Sequence, residues 1–315
     1  MKCAIIGLGV IGKVHISVLK ELGTEIVAVC DCDEEKLKQY PEISGYVDYA
    51  KMLDEVRPDI VHICTPHYLH TEMIVAALKR DINVLCEKPM CIKEEDIPVI
   101  LAAEKESKAQ LGVCFQNRYT PANAYVKEYL QDKKLIGATG IVAWRRNKEY
   151  YNSASWRGKW ETEGGGVLIN QAIHTLDLLQ WFCGMPEKVY ASTTNLTLTD
   201  TIEVEDTAMI ICHKEDGTGF NLFATNASCV VFPVELILRT ETETIRVMPD
   251  KVLVNDELIS FTNDGKVYGK KSYGSGHKVL IQDFYDCVKK TRSFPINGAE
   301  GAKSIRIISQ AYKNF

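Results

Sequence analysis

Glu87-Lys88-Pro89 closes the β-rich apolar run Asn83–Cys86, and a lysine at the carboxyl end of such a strand stands where open α/β sheets gather their ligands. Its chemistry would be proton transfer. To deprotonate an alcohol near neutral pH, an ammonium with a free pKa of ~10.4 must be lowered, and burial and a nearby positive charge both act that way. Alone, such a lysine is more often an exposed strand-end charge. A second group of residues changes that balance. Glu163-Gly164-Gly165-Gly166 leads into an apolar stretch, about Leu168 to Cys183, that reads as one helix. On it Asn170, His174, Asp177 and Trp181 fall at i, i+4, i+7 and i+11 and so share a face. An Asn-His-Asp row on an otherwise apolar helix needs hydrogen-bonding partners, and a polyhydroxylated substrate would supply them.

A third group binds rather than reacts. Gly7-Leu8-Gly9-Val10-Ile11-Gly12 follows the first strand-like run and opens a helix. In that context Gly7 permits the turn, Gly9 removes the side chain that would block a pyrophosphate, and Gly12 lets helix and strand approach, with the anion on the helix N-terminus. Nineteen residues beyond Gly12 stands Asp31, whose carboxylate could accept both ribose hydroxyls and would repel a 2′-phosphate. No basic residue adjoins Asp31 in the sequence, so NAD is predicted over NADP. The plainer alternative is a tight strand–helix turn with Asp31, or the nearby Asp33, as a helix cap.

Positioning these groups requires a particular order of elements. Strand-like runs at Cys3–Ile6, Glu25–Cys30, Ile60–Cys64, Asn83–Cys86 and Gln110–Phe115 alternate with helical segments, the pattern of a parallel, doubly wound α/β sheet. A helix from about Pro121 to Leu130 marks a change of pattern, giving a dinucleotide-binding Rossmann domain over 1–118 and a substrate domain over 119–315. In the latter, strands follow one another without helices to about Ile259, implying an antiparallel sheet and an α+β domain. Helices at about His277–Lys290 and Ala299–Lys313 close the chain, and Asn263–Gly276 reads as a mobile loop.

Composition sets limits. The 315 residues carry 37 Lys and Arg against 42 Asp and Glu, a net charge of −5 with no basic stripe, so neither nucleic acid nor a membrane surface is an expected partner. Glycines interrupt the apolar N-terminus and no apolar run approaches a bilayer span. The 11 cysteines are odd in number and scattered through apolar runs, which favours buried reduced thiols and a cytoplasmic location. His62, Cys64, His67 and His70 straddle a strand and a turn without zinc spacing, and no metal is expected.

Ahead of the apolar helix, Trp144-Arg145-Arg146 and the run Tyr150 to Trp160 concentrate aromatic and cationic groups. Aromatic faces stack on sugar rings, and arginines fork onto hydroxyls or carboxylates.

With Thr65-Pro66 followed by His70, these motifs make the chain resemble the Gfo/Idh/MocA family of NAD(P)-dependent sugar and cyclitol oxidoreductases over essentially its whole length. The Glu87-Lys88-Pro89 and Gly-Gly-Gly-helix-His174 combination is the specific part. The resemblance implies a large, mostly antiparallel open sheet in the second domain, commonly buried in a homodimer or homotetramer. It also implies Lys88 and His174 as the acid/base pair, and Thr65, Pro66, His70 and Glu87 beside the cofactor. Arg118, Tyr151, Trp156 and Arg157 are expected to line the substrate cleft, with Tyr273 as a lid candidate. Many members carry aspartate where this chain has Asn170, which can orient a hydroxyl but cannot take a proton. The implied reaction is hydride transfer between NAD and a ring secondary alcohol of a sugar, inositol or sugar derivative. The alternatives are a redox-neutral NAD-dependent glycosidase or epimerase, and a non-catalytic NAD- and sugar-sensing regulator.

Overall fold

The computed structural model describes residues 1–262, 265–270 and 273–313. They form two compact units, one of residues 1–116 and 266–302, the other of residues 117–265 and those from Lys303 on.

The first unit holds a parallel sheet of β1 (Lys2–Ile6), β2 (Glu25–Cys30), β3 (Ser44–Tyr46), β4 (Ile60–Ile63), β5 (Asn83–Glu87) and β6 (Leu111–Cys114), ordered β3-β2-β1-β4-β5-β6. Every residue of β4 and β6 is buried, as expected of strands covered on both faces by crossover helices. Those helices are α1 (Val10–Glu21), the single turn α2 (Glu34–Leu37), α3 (Tyr49–Val56), α4 (His70–Leu78) and α5 (Ile97–Glu106). Strand order reverses between β1 and β4, so the carboxyl ends of these two strands flank the crevice where such sheets bind ligands.

The second unit begins with α6 (Pro121–Tyr129), β7 (Leu135–Ala143), α7 (Lys148–Asn152), α8 (Val167–Asn170) and α9 (Ile173–Cys183). Then come β8 (Lys188–Thr194), β9 (Thr207–His213), β10 (Gly219–Thr225), β11 (Glu235–Thr240), β12 (Thr244–Val247), β13 (Val252–Val254) and β14 (Glu257–Ile259). Its sheet runs β14-β13-β12-β11-β7-β10-β9-β8, antiparallel except where β7 meets β10. Alternation decides its faces. Ala208, Ile210, Phe220 and Leu222 point inward beneath α8 and α9, whereas Tyr190, Met209, Ile211 and Phe223 are exposed on the other face.

Three expectations are corrected. The apolar helix is broken in two, because the amides of Gln171 and Ala172 both reach the Val167 carbonyl (3.2 and 2.8 Å) before Leu176 resumes the ladder from Ala172. Asn170 and His174 therefore do not share one continuous helical face. The division at 118/119 also fails for 266–302, which contains α10 (Gly276–Lys290) and the start of α11 (Gly298–Lys313). Phe284 and Phe294 press on Gly112 of β6, where an added Cβ would lie 2.8 and 3.0 Å from their rings, and the Val113 amide donates to the Ile296 carbonyl (2.8 Å). All 11 cysteines are unpaired, but Cys32 and Cys229 are exposed rather than packed. The late loop expected over Asn263–Gly276 lies partly outside the described residues.

Candidate active site

The three glycines after β1 divide by cause. Gly7 has φ +95°, and a Cβ on it would stand 2.5 Å from the Cys64 carbonyl oxygen. A Cβ on Gly12 would overlap the Gly7 carbonyl oxygen at 2.0 Å. The fold itself demands both. Gly9 has an ordinary φ of −69°, and a Cβ there would meet nothing within 4 Å. It is the N-cap of α1, with no side-chain capping bond, and the next residue, Val10, is exposed; Ile11 follows in the first turn. An uncapped helix N-terminus with a clear approach suits a dinucleotide pyrophosphate.

Asp31 follows β2 and braces this loop. Its Oδ2 accepts the Leu8 amide (2.8 Å) and its Oδ1 the Asp33 amide (3.0 Å). Asp33 is the helix cap, its carboxylate accepting the Glu35 amide (3.1 Å). A basic neighbour is nonetheless present, which corrects the linear reading. The turn of α2 folds Lys36 back so that Nζ lies 3.1 and 3.2 Å from the two Asp31 oxygens.

Lys88 is half-buried, directly after β5, and its peptide bond to Pro89 is cis. His70 ties this turn to the one after β4, its Nδ1 2.7 Å from the Pro89 carbonyl and its Nε2 2.9 Å from the Thr65 carbonyl. Burial lowers its pKa. His70 thus acts as a brace between the Thr65-Pro66 turn and the Lys88-Pro89 turn.

Glu87 points into the interior of the first unit. Its Oε1 lies 2.9 Å from His15 Nε2, and its Oε2 accepts the Lys88 amide (3.3 Å). Burial works to raise its carboxyl, but the hydrogen bond and charge of His15, with His277 and Lys88 nearby, hold it well below the carboxylate range. The chain of contacts continues from His15 Nδ1 to His62 Nδ1 (2.7 Å) and from His62 Nε2 to the Tyr285 hydroxyl (3.0 Å). Burial keeps His62 well below its usual range and His277 down to about 4. No spacing rule joins residues 15, 62, 87 and 285, so sequence reasoning missed this network.

In the second unit, the residue at the hub is Tyr150. Its hydroxyl receives Arg157 Nη1 (2.6 Å), Gln171 Nε2 (3.1 Å) and Asn170 Nδ2 (3.3 Å). Tyr151, the expected site residue, is instead core: it packs with Leu198, Ile202 and Val204, and its hydroxyl accepts from Asn226 Nδ2 (3.0 Å). Helical rotation separates the two neighbours. The Arg157 guanidinium lies 4.5 Å from both the Tyr150 and Trp156 ring centres, and His174 sits half-buried in the first turn of α9.

Arg118 is also corrected. Its Nε and Nη2 grip Asp177 (2.8 and 2.7 Å) in a buried fork, which likewise takes Asp177 from the expected substrate-facing row. Tyr273 belongs to the first unit, half-buried and edge-on to His277 at 6.1 Å, with its carbonyl 3.4 Å from Gln116 Nε2.

Two buried carboxylates organise the Gly-Gly-Gly segment, Glu205 and the Glu163 that opens the motif. Glu205 Oε2 accepts the Gly166 amide (2.9 Å), while its Oε1 accepts the Leu168 amide (3.0 Å) and the Tyr312 hydroxyl (2.8 Å). Burial pushes its carboxyl up to about 7 in spite of these donors. The glycines are needed because a Cβ on Gly165, at φ +145°, would strike the Tyr312 hydroxyl and one on Gly166 the Glu205 carbonyl oxygen, at 2.1 and 1.8 Å. Glu163 accepts the Gly158 amide (2.5 Å) and is hydrogen-bonded by Asn170 Nδ2.

A six-stranded doubly wound sheet with an open glycine loop after its first strand, in a chain that also holds an open mixed sheet, defines a two-unit dinucleotide-dependent oxidoreductase fold. Residues 1–115 match the oxidoreductase family NAD-binding Rossmann fold and residues 124–241 the GFO/IDH/MocA C-terminal domain. The chain belongs to the Gfo/Idh/MocA oxidoreductase family. It is 29% identical over 181 residues to the putative oxidoreductase YteT of Bacillus subtilis, covering 53% of this chain and 42% of YteT. It is 30% identical over 189 residues to inositol 2-dehydrogenase of Salmonella typhimurium, covering 58% of this chain and 54% of that protein. In both, the chain spans less than two thirds of the relative's length. Among solved structures, the WlbA dehydrogenase of Bordetella pertussis in complex with NADH and UDP-GlcNAcA has a TM-score of 0.86 at 27% identity, covering 100% of this chain and 96% of that one. No helix among the described residues is long and apolar enough to cross a membrane.

Proposed function

We propose that this protein is an NAD-dependent dehydrogenase that transfers hydride between nicotinamide and a ring secondary alcohol of a sugar, cyclitol or sugar derivative. The observation that carries the proposal is the empty volume at Gly9, open at the N-terminus of α1 in a sheet whose β5 is followed directly by Lys88. When bound, NAD supplies the hydride acceptor. The chain's own residues do the rest. Gly9, Val10 and Ile11 receive the pyrophosphate, and Asp31 accepts the ribose hydroxyls in the places that Lys36 Nζ now takes on its two oxygens. Lys88 takes the substrate hydroxyl proton, with His174 as its acid/base partner and Asn170, Trp156 and Arg157 orienting the substrate. The Glu87–His15 pair and the His70 brace fix the turn that carries Lys88. The exposed row Tyr190, Met209, Ile211 and Phe223 supports assembly of homo-oligomers through the second sheet.

The test is reduction of NAD, and separately NADP, by purified protein over a panel of inositols, hexoses, uronates, amino sugars, glycosides and UDP-sugars, with product analysis. The last class enters because WlbA was solved with UDP-GlcNAcA. One class should reduce NAD, and Lys88→Ala should lower its turnover at least about a hundredfold. Undiminished turnover in Lys88→Ala would remove the lysine from its assigned role. Glycoside cleavage or epimerisation without net reduction would move the chain to the redox-neutral reading.

A further inference from the structure

The family-typical carboxylate at position 170 is absent here, yet a buried carboxylate touches that position from the turn before the glycines. Glu163 has a side chain only 1% exposed, and Asn170 Nδ2 donates to its Oε1. Its Oε2 is fixed by the Gly158 amide at 2.5 Å. The second Asn170 Nδ2 contact, with the Tyr150 hydroxyl at 3.3 Å, is itself anchored by Arg157. These contacts set the sense of the amide: Nδ2 is committed to Glu163 and Tyr150, so the chemistry of Asn170 is that of its Oδ1 acceptor. An amide whose N–H is bonded to a carboxylate is polarised, and its oxygen becomes a stronger acceptor. A buried negative charge one amide away also favours a cation on the acceptor side. The charged and titratable neighbours of Glu163 within its unit include Arg157, whose Nη1 lies 4.0 Å from Oε1, and Tyr150, Tyr151 and Tyr312.

We propose that Glu163 is a positioning residue that supplies through the Asn170 amide the negative field and acceptor strength that a carboxylate at 170 would supply directly. The inference rests on the dehydrogenase reading for its kinetic consequence, though not for its geometry. A Glu163-Asn170 pair moves the charge one hydrogen bond back and leaves an acceptor that cannot itself be protonated near neutral pH. The contact is made from the last residue of α8, where the helix breaks after Asn170.

The test uses the full chain as wild type, Glu163→Gln, Asn170→Asp and the double variant Glu163→Gln/Asn170→Asp. With selective 15N labelling of asparagine, the side-chain amide signal that Asn170→Asp deletes should lie downfield in the wild type and move upfield in Glu163→Gln. This readout needs neither substrate nor cofactor. With the substrate that the panel identifies, Glu163→Gln should lower kcat about 10- to 100-fold, the worth of one hydrogen bond to a charged group, with KM within about threefold. The double variant restores a carboxylate at 170 facing an amide at 163, and should recover most of the lost kcat. An unshifted amide signal overturns the inference, as does a Glu163→Gln variant with unchanged kcat. A double variant as slow as Glu163→Gln, with wild-type melting temperature, reduces Glu163 to a structural carboxylate and also overturns it. Failure of the dehydrogenase reading shows separately, as wild-type protein that reduces no NAD while the amide signal still shifts.

Discussion

Gly9→Ala separates the demands of the cofactor from those of the fold. The backbone of Gly9, at φ −69°, is open to any residue, and an added Cβ meets nothing within 4 Å. Two small effects then oppose each other in the isolated protein. Alanine reduces the freedom of the unfolded chain, worth about 0.4–1 kcal/mol, but is a poorer N-cap than glycine by a similar amount. Stability should stay within about 1 kcal/mol and the melting temperature within about 4 °C of wild type. NAD, however, should meet the new methyl where the pyrophosphate reaches the helix N-terminus. Inserting a methyl into a close contact costs about 1–3 kcal/mol, so the NAD Kd should rise about 5- to 150-fold. Calorimetric titration with NAD, paired with a thermal melt, reads both quantities. Gly12→Ala is the counterpart, because its Cβ would stand 2.0 Å from the rigid Gly7 carbonyl oxygen, and it should lose stability with or without NAD. If Gly9→Ala binds NAD within about twofold of wild type, the pyrophosphate does not approach Gly9 and the assignment of the glycine loop is wrong.

Lys36, held 3.1 Å from Asp31 Oδ1 and partly exposed, should give NADP a foothold that the sequence alone did not indicate. Lys36→Ala should weaken NADP binding about tenfold or more, as expected for losing a charged phosphate contact, while NAD binding changes little; equal losses for both nucleotides would make the lysine a simple brace for Asp31. Glu205, pushed up to about 7, contributes in the opposite sense to an ion-paired carboxylate. Its folded pKa exceeds its unfolded one, so folding favours the protonated form, and stability falls as pH rises from about 4.5 through about 7, by at most ~3 kcal/mol. Denaturant unfolding from pH 5 to 8 should show this decline in the wild type and a flatter profile in Glu205→Gln, and parallel profiles would assign the titration elsewhere.

Much of the first unit was legible because its signals are local. A buried parallel strand is a continuous apolar run, and the glycine loop, its helix and Asp31 occupy one short stretch of chain. The short β3 escaped notice because Ser44-Gly45-Tyr46 carries almost no apolar pattern. The second sheet was readable as strands in succession, but the parallel pairing of β7 with β10 depends on contacts far apart in sequence.

The sequence by itself determined the class of sheet, the glycine turn between β1 and α1 and the place of Lys88 at the end of a strand, since strand periodicity and glycine sterics act over a few residues. Only the tertiary structure decided which side chains those positions meet. Arg118 and Asp177 both looked ready for a substrate until the fold closed them on each other, since burying either charge requires its partner. Tyr150 and Tyr151 are adjacent and chemically alike, yet a turn of helix sends one to a polar hub and the other into the core. Glu163 and Glu205 are buried because backbone amides and neighbouring side chains satisfy their oxygens. Segment 266–302 returned to the first unit because Gly112 leaves a hollow that Phe284 and Phe294 fill. Such pairings follow from desolvation and packing across the folded chain, and no local pattern encodes them.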